Sequence, residues 1–237
     1  MAVITLPTSF RPVGFSFGQK RYDTIERSDS TGSEAARLLA PPRWTCGVQS
    51  SDNMTLTEAG QWEAWCLKLR GGVNVAAIYD PVRQSPEGTM RGSPRLNTAI
   101  SAGATSMTLI GGNALTATPQ TIKAGDHLQI STGVGTSQLV KIVDDATGTG
   151  AGATANWTDG LGNAATWSGS AVWHDPGTIT VTFEPPTRIA FAVDAAVTWD
   201  KPLAYYRMQG YPKWQYSQRA YRREGGFAAD FVETFSA

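Results

Sequence analysis

Thr178-Ile179-Thr180-Val181-Thr182-Phe183-Glu184-Pro185-Pro186 decides the fold class. Its first six residues are all strand formers, and Ile179, Val181 and Phe183 recur with a period of two. The two prolines end the strand. Working outward, the same texture recurs. Residues 105–110 read as a strand that stops at Gly111-Gly112, and residues 138–143 alternate. Ile122-Lys123-Ala124-Gly125-Asp126-His127-Leu128-Gln129-Ile130 reads as a turn at Gly125-Asp126 followed by a strand. Residues 2–6, 13–17, 43–49, 73–79, 196–198 and 204–208 add strands. Residues 230–235 close the chain.

One helix interrupts this pattern. Thr55-Leu56-Thr57-Glu58 has the form of a capping box, and Trp62, Trp65, Cys66 and Leu69 follow on one helical face. Lys68 and Arg70 suit the C-terminal turn, where the helix dipole favours cations, and Gly71-Gly72 supplies a stop. The spacing predicts a helix over residues 56–70. Polar, small-residue stretches at 27–35, 82–96 and 144–170 read as loops, the last of them long.

The expected fold is therefore mainly β, with one packed helix. The simplest organisation is a sandwich-like β domain of residues 1–82 and 187–237, interrupted by a small OB-like barrel or sandwich at 83–186. Two sequential domains divided near residue 95 are the alternative. Insertion is preferred, because the final segment is too short to stand alone.

Composition bounds the function. The 237 residues are 41% hydrophobic and only 17% charged, with 25 glycines and 13 prolines. That suits short strands joined by loops. Twenty basic and twenty acidic residues cancel. A chain that neutralises many phosphates carries a basic excess, so nucleic acid is not an expected partner. Zero net charge favours self-association. Eight tryptophans can fill cores or anchor interfaces. The N-terminus lacks the basic start and apolar run of a signal peptide, and no stretch approaches the roughly 20 apolar residues of a membrane span. Synthesis in a cytoplasm, with no membrane insertion, is the expectation. The sequons at Asn53 and Asn156 then carry no meaning. Cys46 and Cys66 match no zinc or redox spacing. Their pairing stays open, and two thiols in a reducing compartment is the plainer reading.

Four motifs in order carry a resemblance: Ala102-Gly103-Ala104-Thr105-Ser106-Met107-Thr108-Leu109, the segment from Ile122 to Ile130, Gln138-Leu139-Val140-Lys141-Ile142-Val143, and Gly177 to Pro186. Together with the helix and the strand that follows it, this pattern over residues 55–208 resembles the distal tail protein, a tail-tip and baseplate component of bacteriophages with long non-contractile tails. The stretches at the N-terminus and at 144–170 depart from the pattern. The resemblance implies a β domain that assembles as a homo-hexamer ring continuing the tail tube, and a second, outward β domain with an OB-like barrel or galectin-like sandwich. It implies the tail tube protein, the baseplate hub and the tape measure protein as partners. It also implies a place in the virion at the tail tip, with synthesis in the host cytoplasm.

Candidate site residues follow from chemistry. His127 and His174 are the only histidines. His127 follows a turn and reads as structural, and His174-Asp175-Pro176 reads as a plain turn. No HExxH, GxSxG or P-loop is present. No enzymatic activity, cofactor or metal is expected, and a cell-wall hydrolase using His127 or Asp175 is a remote rival. Trp157, Trp167 and Trp173 are candidates for stacking on host glycans, which makes a carbohydrate-binding module the main alternative function. The other reading packs these rings on the barrel or on a neighbouring subunit. Trp214, Tyr216, Tyr221, Arg222 and Phe227 form an aromatic, basic C-terminal segment expected at an inter-subunit contact. Arg219, Arg222 and Arg223 could also meet phosphate, but a solvated face or salt bridges to a neighbour suit the neutral charge better.

Overall fold

The computed structural model describes residues 2–7, 11–51, 53–111, 120–133, 136–149, 177–214, 217–219, 222–224 and 227–234. The chain is mainly β, with one α-helix and a closed six-stranded barrel. It divides into two compact units: Met1–Gln84, Gly133–Leu139 and Lys201–Ala237 form the first, and Ser85–Thr132 and Val140–Asp200 the second.

In chain order the first unit begins with β1 (Val3–Thr5), β2 (Gly14–Arg27), β3 (Glu34–Gln49), β4 (Asn53–Thr55), α1 (Leu56–Leu69) and β5 (Val75–Tyr79). The helix starts where the sequence predicts. The Thr55 amide donates to the Glu58 carboxylate at 2.9 Å, and the Glu58 amide donates to the Thr55 hydroxyl at 3.3 Å. It ends at Arg70 in a left-handed conformation (φ 48°), one residue before the glycine pair. Ala59, Trp62, Trp65, Cys66 and Leu69 are its buried face.

The second unit carries β6 (Pro94–Leu96), β7 (Ser106–Gly111), β8 (Thr121–Ile122), β9 (His127–Ser131), the second half of β10 (Ser137–Ile142, whose residues up to Leu139 fall in the first unit), β11 (Ala146–Thr147), β12 (Thr178–Glu184) and β13 (Ala196–Thr198). Six of these strands close the barrel in the order β10-β12-β7-β6-β13-β9. The inward residues of β12 are those that the alternation marks: Ile179, Val181 and Phe183 are buried with Leu96, Leu109, Leu128, Ile130, Val140, Ile142 and Val197. The Gly125-Asp126 turn is present. The Asp126 amide donates to the Lys123 carbonyl at 3.0 Å, with Gly125 at φ 97°, the positive value that the third position of a type II turn requires. The buried Asp126 carboxylate accepts from the amides of Lys123 (2.9 Å), Glu87 (2.8 Å) and Gly88 (3.3 Å). Three backbone donors are thereby satisfied by one side chain.

Two sequence expectations change here. Residues 187–200, expected with the flanking domain, belong to the barrel unit, because β13 pairs with β9 and β6, and Phe191 bridges Ile100. The polar stretch 82–96 is not simply an exposed linker. Met90, Pro94 and Leu96 are buried, and β6 is a barrel strand.

The chain then returns to the first unit with β14 (Leu203–Trp214), β15 (Ser217–Arg219), β16 (Arg222–Glu224) and β17 (Phe227–Glu233). The large sheet runs β1-β5-β14-β17-β3-β2, parallel only at β1–β5. The helix packs on one face of it. Trp62 lies 5.5 Å from Phe227, and Trp65 lies 5.7 Å from Phe231, centroid to centroid. At roughly 25 cal/mol per Å² of apolar surface, these rings contribute several kcal/mol, well above what the helix cap adds. A separate three-stranded sheet has the order β15-β16-β4.

Candidate assembly surface

The β2–β3 hairpin is longer than either of the strands read from the sequence. It pairs from Gly14↔Gln49 at its root to Arg27↔Glu34 at its end. Only residues 28–33 turn, closed by the Ser28 amide on the Ser33 carbonyl at 2.9 Å. At the root, Phe15 and Phe17 pack on the core beside Trp44, Cys46 and Val48. Beyond Lys20 and Arg43 no buried residue remains except Pro42. Pro41 and Pro42 lie where the register shifts between Lys20 and Tyr22, a bulge that accommodates two residues without an amide donor.

The distal ribbon has two unlike faces, because directly paired residues share a face. One carries Ile25 (70% exposed), Ala36 and Leu38 (51% exposed), and Leu39 (65% exposed) sits at the bulge. Ion pairs Arg21–Asp23 (3.0 Å) and Arg27–Glu34 (3.8 Å) flank it, and Lys20 lies 5.4 Å from the Tyr22 ring centre. The other face pairs Thr24 with Arg37 and Glu26 with Ala35. Among the described residues, no ion pair or hydrogen bond engages the Arg37 side chain.

At the root, the face of the large sheet opposite the helix is grooved. Gly14, Ser16, Gly47, Gln49, Gln209 and Asp230 line an open cavity of about 460 Å³. Two positions along it lack side chains, and the side chains of their neighbours lie over both. A Cβ at Gly47 would meet Ser16 Oγ at 2.6 Å and Asp230 Oδ1 at 3.2 Å, and one at Gly14 would meet Gln49 Oε1 at 2.9 Å. Ser16, Gln49, Gln209 and Asp230 are exposed along it.

Phe227 is fully buried against Trp62 and is a core residue of the first unit, so its assignment to a subunit contact is corrected. Its backbone pairs with Trp214, at the end of β14, while Arg222 pairs with Thr55 and Arg219. Tyr216 and Tyr221 lie outside the described residues, as do Trp157, Trp167, Trp173, His174 and Asp175.

His127 is buried in β9, consistent with a structural position. Cys46 and Cys66 are both free and buried. Burial pushes the Cys66 thiol up to about 12. Burial, and then the Asp230 carboxylate, raise Cys46 well above its ordinary value. Neither thiol is suited to act as a nucleophile. Burial likewise raises Tyr206, with Cys46, Glu233 and Asp80 adding to it. Among the described residues, no group of three or more His, Cys, Asp or Glu side chains could hold a metal ion, and no helix is long and apolar enough to cross a membrane. The residues that sequence reasoning missed are those of the ribbon and the groove, whose only sequence signal is the small residues at alternate positions, Gly14, Ser16 and Gly18. No protein-family model matches the chain, and no curated protein matches it.

Proposed function

We propose that this protein is a non-enzymatic structural subunit of a phage tail tip, a distal tail protein. Its work is assembly: copies close into a ring, six in number, that joins the tail tube to the baseplate hub, beside the tape measure protein, in a virion built in the host cytoplasm. One observation carries the reading, the β2–β3 ribbon. A two-stranded ribbon is marginal in water on its own, and this one exposes Ile25, Leu38 and Leu39. An apolar surface on an edge hairpin is a hazard for a protein that stays alone and an asset for one that assembles. Closed rings use heterologous contacts, in which one patch of each copy meets a different patch of the next. The build of a large helix-backed sheet and a separate barrel, and the sequence resemblance, agree with this reading.

Native mass spectrometry of the purified chain, with negative-stain imaging, tests it, first alone and then with tube and hub proteins. A closed six-membered ring is the expected result. A monomer that stays single even with those partners present would overturn it.

A further inference from the structure

The segment from Glu87 to Arg91 lies on the barrel unit ahead of its ladder. The first barrel strand in the chain, β6, begins only at Pro94. Asp126 and Thr121 hold the segment in place. The Asp126 carboxylate accepts from the Glu87 amide at 2.8 Å and from the Gly88 amide at 3.3 Å. Thr89 and Thr121 exchange bonds, each amide donating to the other's hydroxyl at 3.1 and 3.0 Å. The Met90 amide donates to the Thr121 carbonyl at 3.2 Å. On its other side β8 pairs with β11, where Thr121 stands opposite Thr147. The segment therefore covers the β8 edge that β11 leaves open.

We infer that residues 87–91 form a strap that opens as one piece while the barrel stays closed, baring the β8 edge and the seat of Met90. Every contact involved lies within the barrel unit, whatever the chain assembles into. Little apolar surface holds the strap down. Met90 is buried with the barrel core and Gly88 is buried against β8, whereas Glu87, Thr89 and Arg91 are exposed. Segments with few buried apolar contacts open at a lower free energy than the whole fold. The strap is also closed on itself. The Arg91 guanidinium donates to the Gly88 and Met90 carbonyls, each at 2.6 Å, and those bonds travel with it. Gly92 follows at φ 90°, a bend that glycine takes without strain, and forms the downstream hinge. Opening breaks the bonds to Asp126 and Thr121 and unseats one side chain. The Lys123–Asp126 turn and the six-stranded ladder remain made. The seat itself is close-fitting. A Cβ at Gly88 would run into the Thr121 carbonyl oxygen and come within 2.8 Å of Ile122 Cα, so the closed strap requires glycine there.

Methionine oxidation of the full chain by dilute hydrogen peroxide, read by peptide mass, tests the strap. Met90 and Met107 are both 2% exposed in the same core, but Met107 sits in the ladder strand β7. Each thioether is oxidised when an opening brings it to solvent. In the wild type, Met90 is expected to oxidise about tenfold or more faster than Met107. Gly88→Ala places its added methyl against β8 and not against the six-stranded ladder. It should speed Met90 by about a further tenfold and leave Met107 within about threefold of wild type. Equal rates for the two methionines in the wild type would show that the segment opens only with the whole unit, and would overturn the strap. So would a Gly88→Ala chain in which both methionines speed up alike, or neither does.

Discussion

The root and the distal half of the β2–β3 hairpin are made of the same two strands but are held by different forces. At the root, Phe15, Phe17, Trp44, Cys46 and Val48 alternate inward onto a helix and a sheet. In the distal half the backbone ladder continues from Tyr22↔Ala40 to Arg27↔Glu34, yet every side chain but that of Pro42 is at least partly in solvent. Hydrogen bonds alone extend a strand, whereas packing fixes which residues it is built from. The distal half is thus free to carry a surface chosen for another molecule.

The largest effect should come from the packed side of this comparison. Phe231→Ala removes a fully buried ring that Trp65 touches and should cost about 3–5 kcal/mol in chemical denaturation. A loss below about 1 kcal/mol would mean that the helix–sheet core is not what holds the root. Next, Asp126→Ala orphans three amides in the barrel unit, one buried and two partly buried, and should cost about 1–3 kcal/mol, read as earlier unfolding of that unit. Thr55→Ala removes a helix cap and should cost about 1 kcal/mol.

The cap also gives a pH dependence. The Thr55 amide, and then its hydroxyl, hold the Glu58 carboxyl below its ordinary 4.5. A lowered folded value means that the contribution is present above 4.5 and is lost as pH falls through the lowered value. The difference in thermal midpoint between wild type and Glu58→Ala should therefore shrink as the pH falls below 4.5. A constant difference would show that the carboxylate charge plays no part. Smallest of all, Ile25→Ser with Leu38→Ser should leave monomer stability within about 0.5 kcal/mol of wild type. A large loss would show that the ribbon packs on its own chain after all.

The same contrast explains what the sequence made legible. The helix was readable because Thr55 and Glu58 announce its start and two tryptophans mark its buried face. The barrel strands were readable because an enclosed interior imposes strict alternation, plainest in β12. The ribbon was not readable, because a strand without a buried face has no period. Residues 27–35 looked like a loop although Arg27, Glu34 and Ala35 are paired. At three residues, β6 was too short to show any alternation, and its polar neighbours concealed it. Phe227 misled for a different reason. Aromatic rings serve cores and interfaces equally well, and only the register of β17 between β14 and β3 places this one inside. The groove was hidden because glycines in a strand do not say what lies over them, here the side chains of Ser16, Gln49 and Asp230.

The central claim, that the distal ribbon is an assembly surface, is tested most directly by hydrogen exchange of its amides as protein concentration rises. The account predicts that protection grows with concentration over residues 20–27 and 34–43 while the root, already packed, keeps its exchange rates. Ribbon amides that exchange identically in the monomer and in the assembled ring would contradict it.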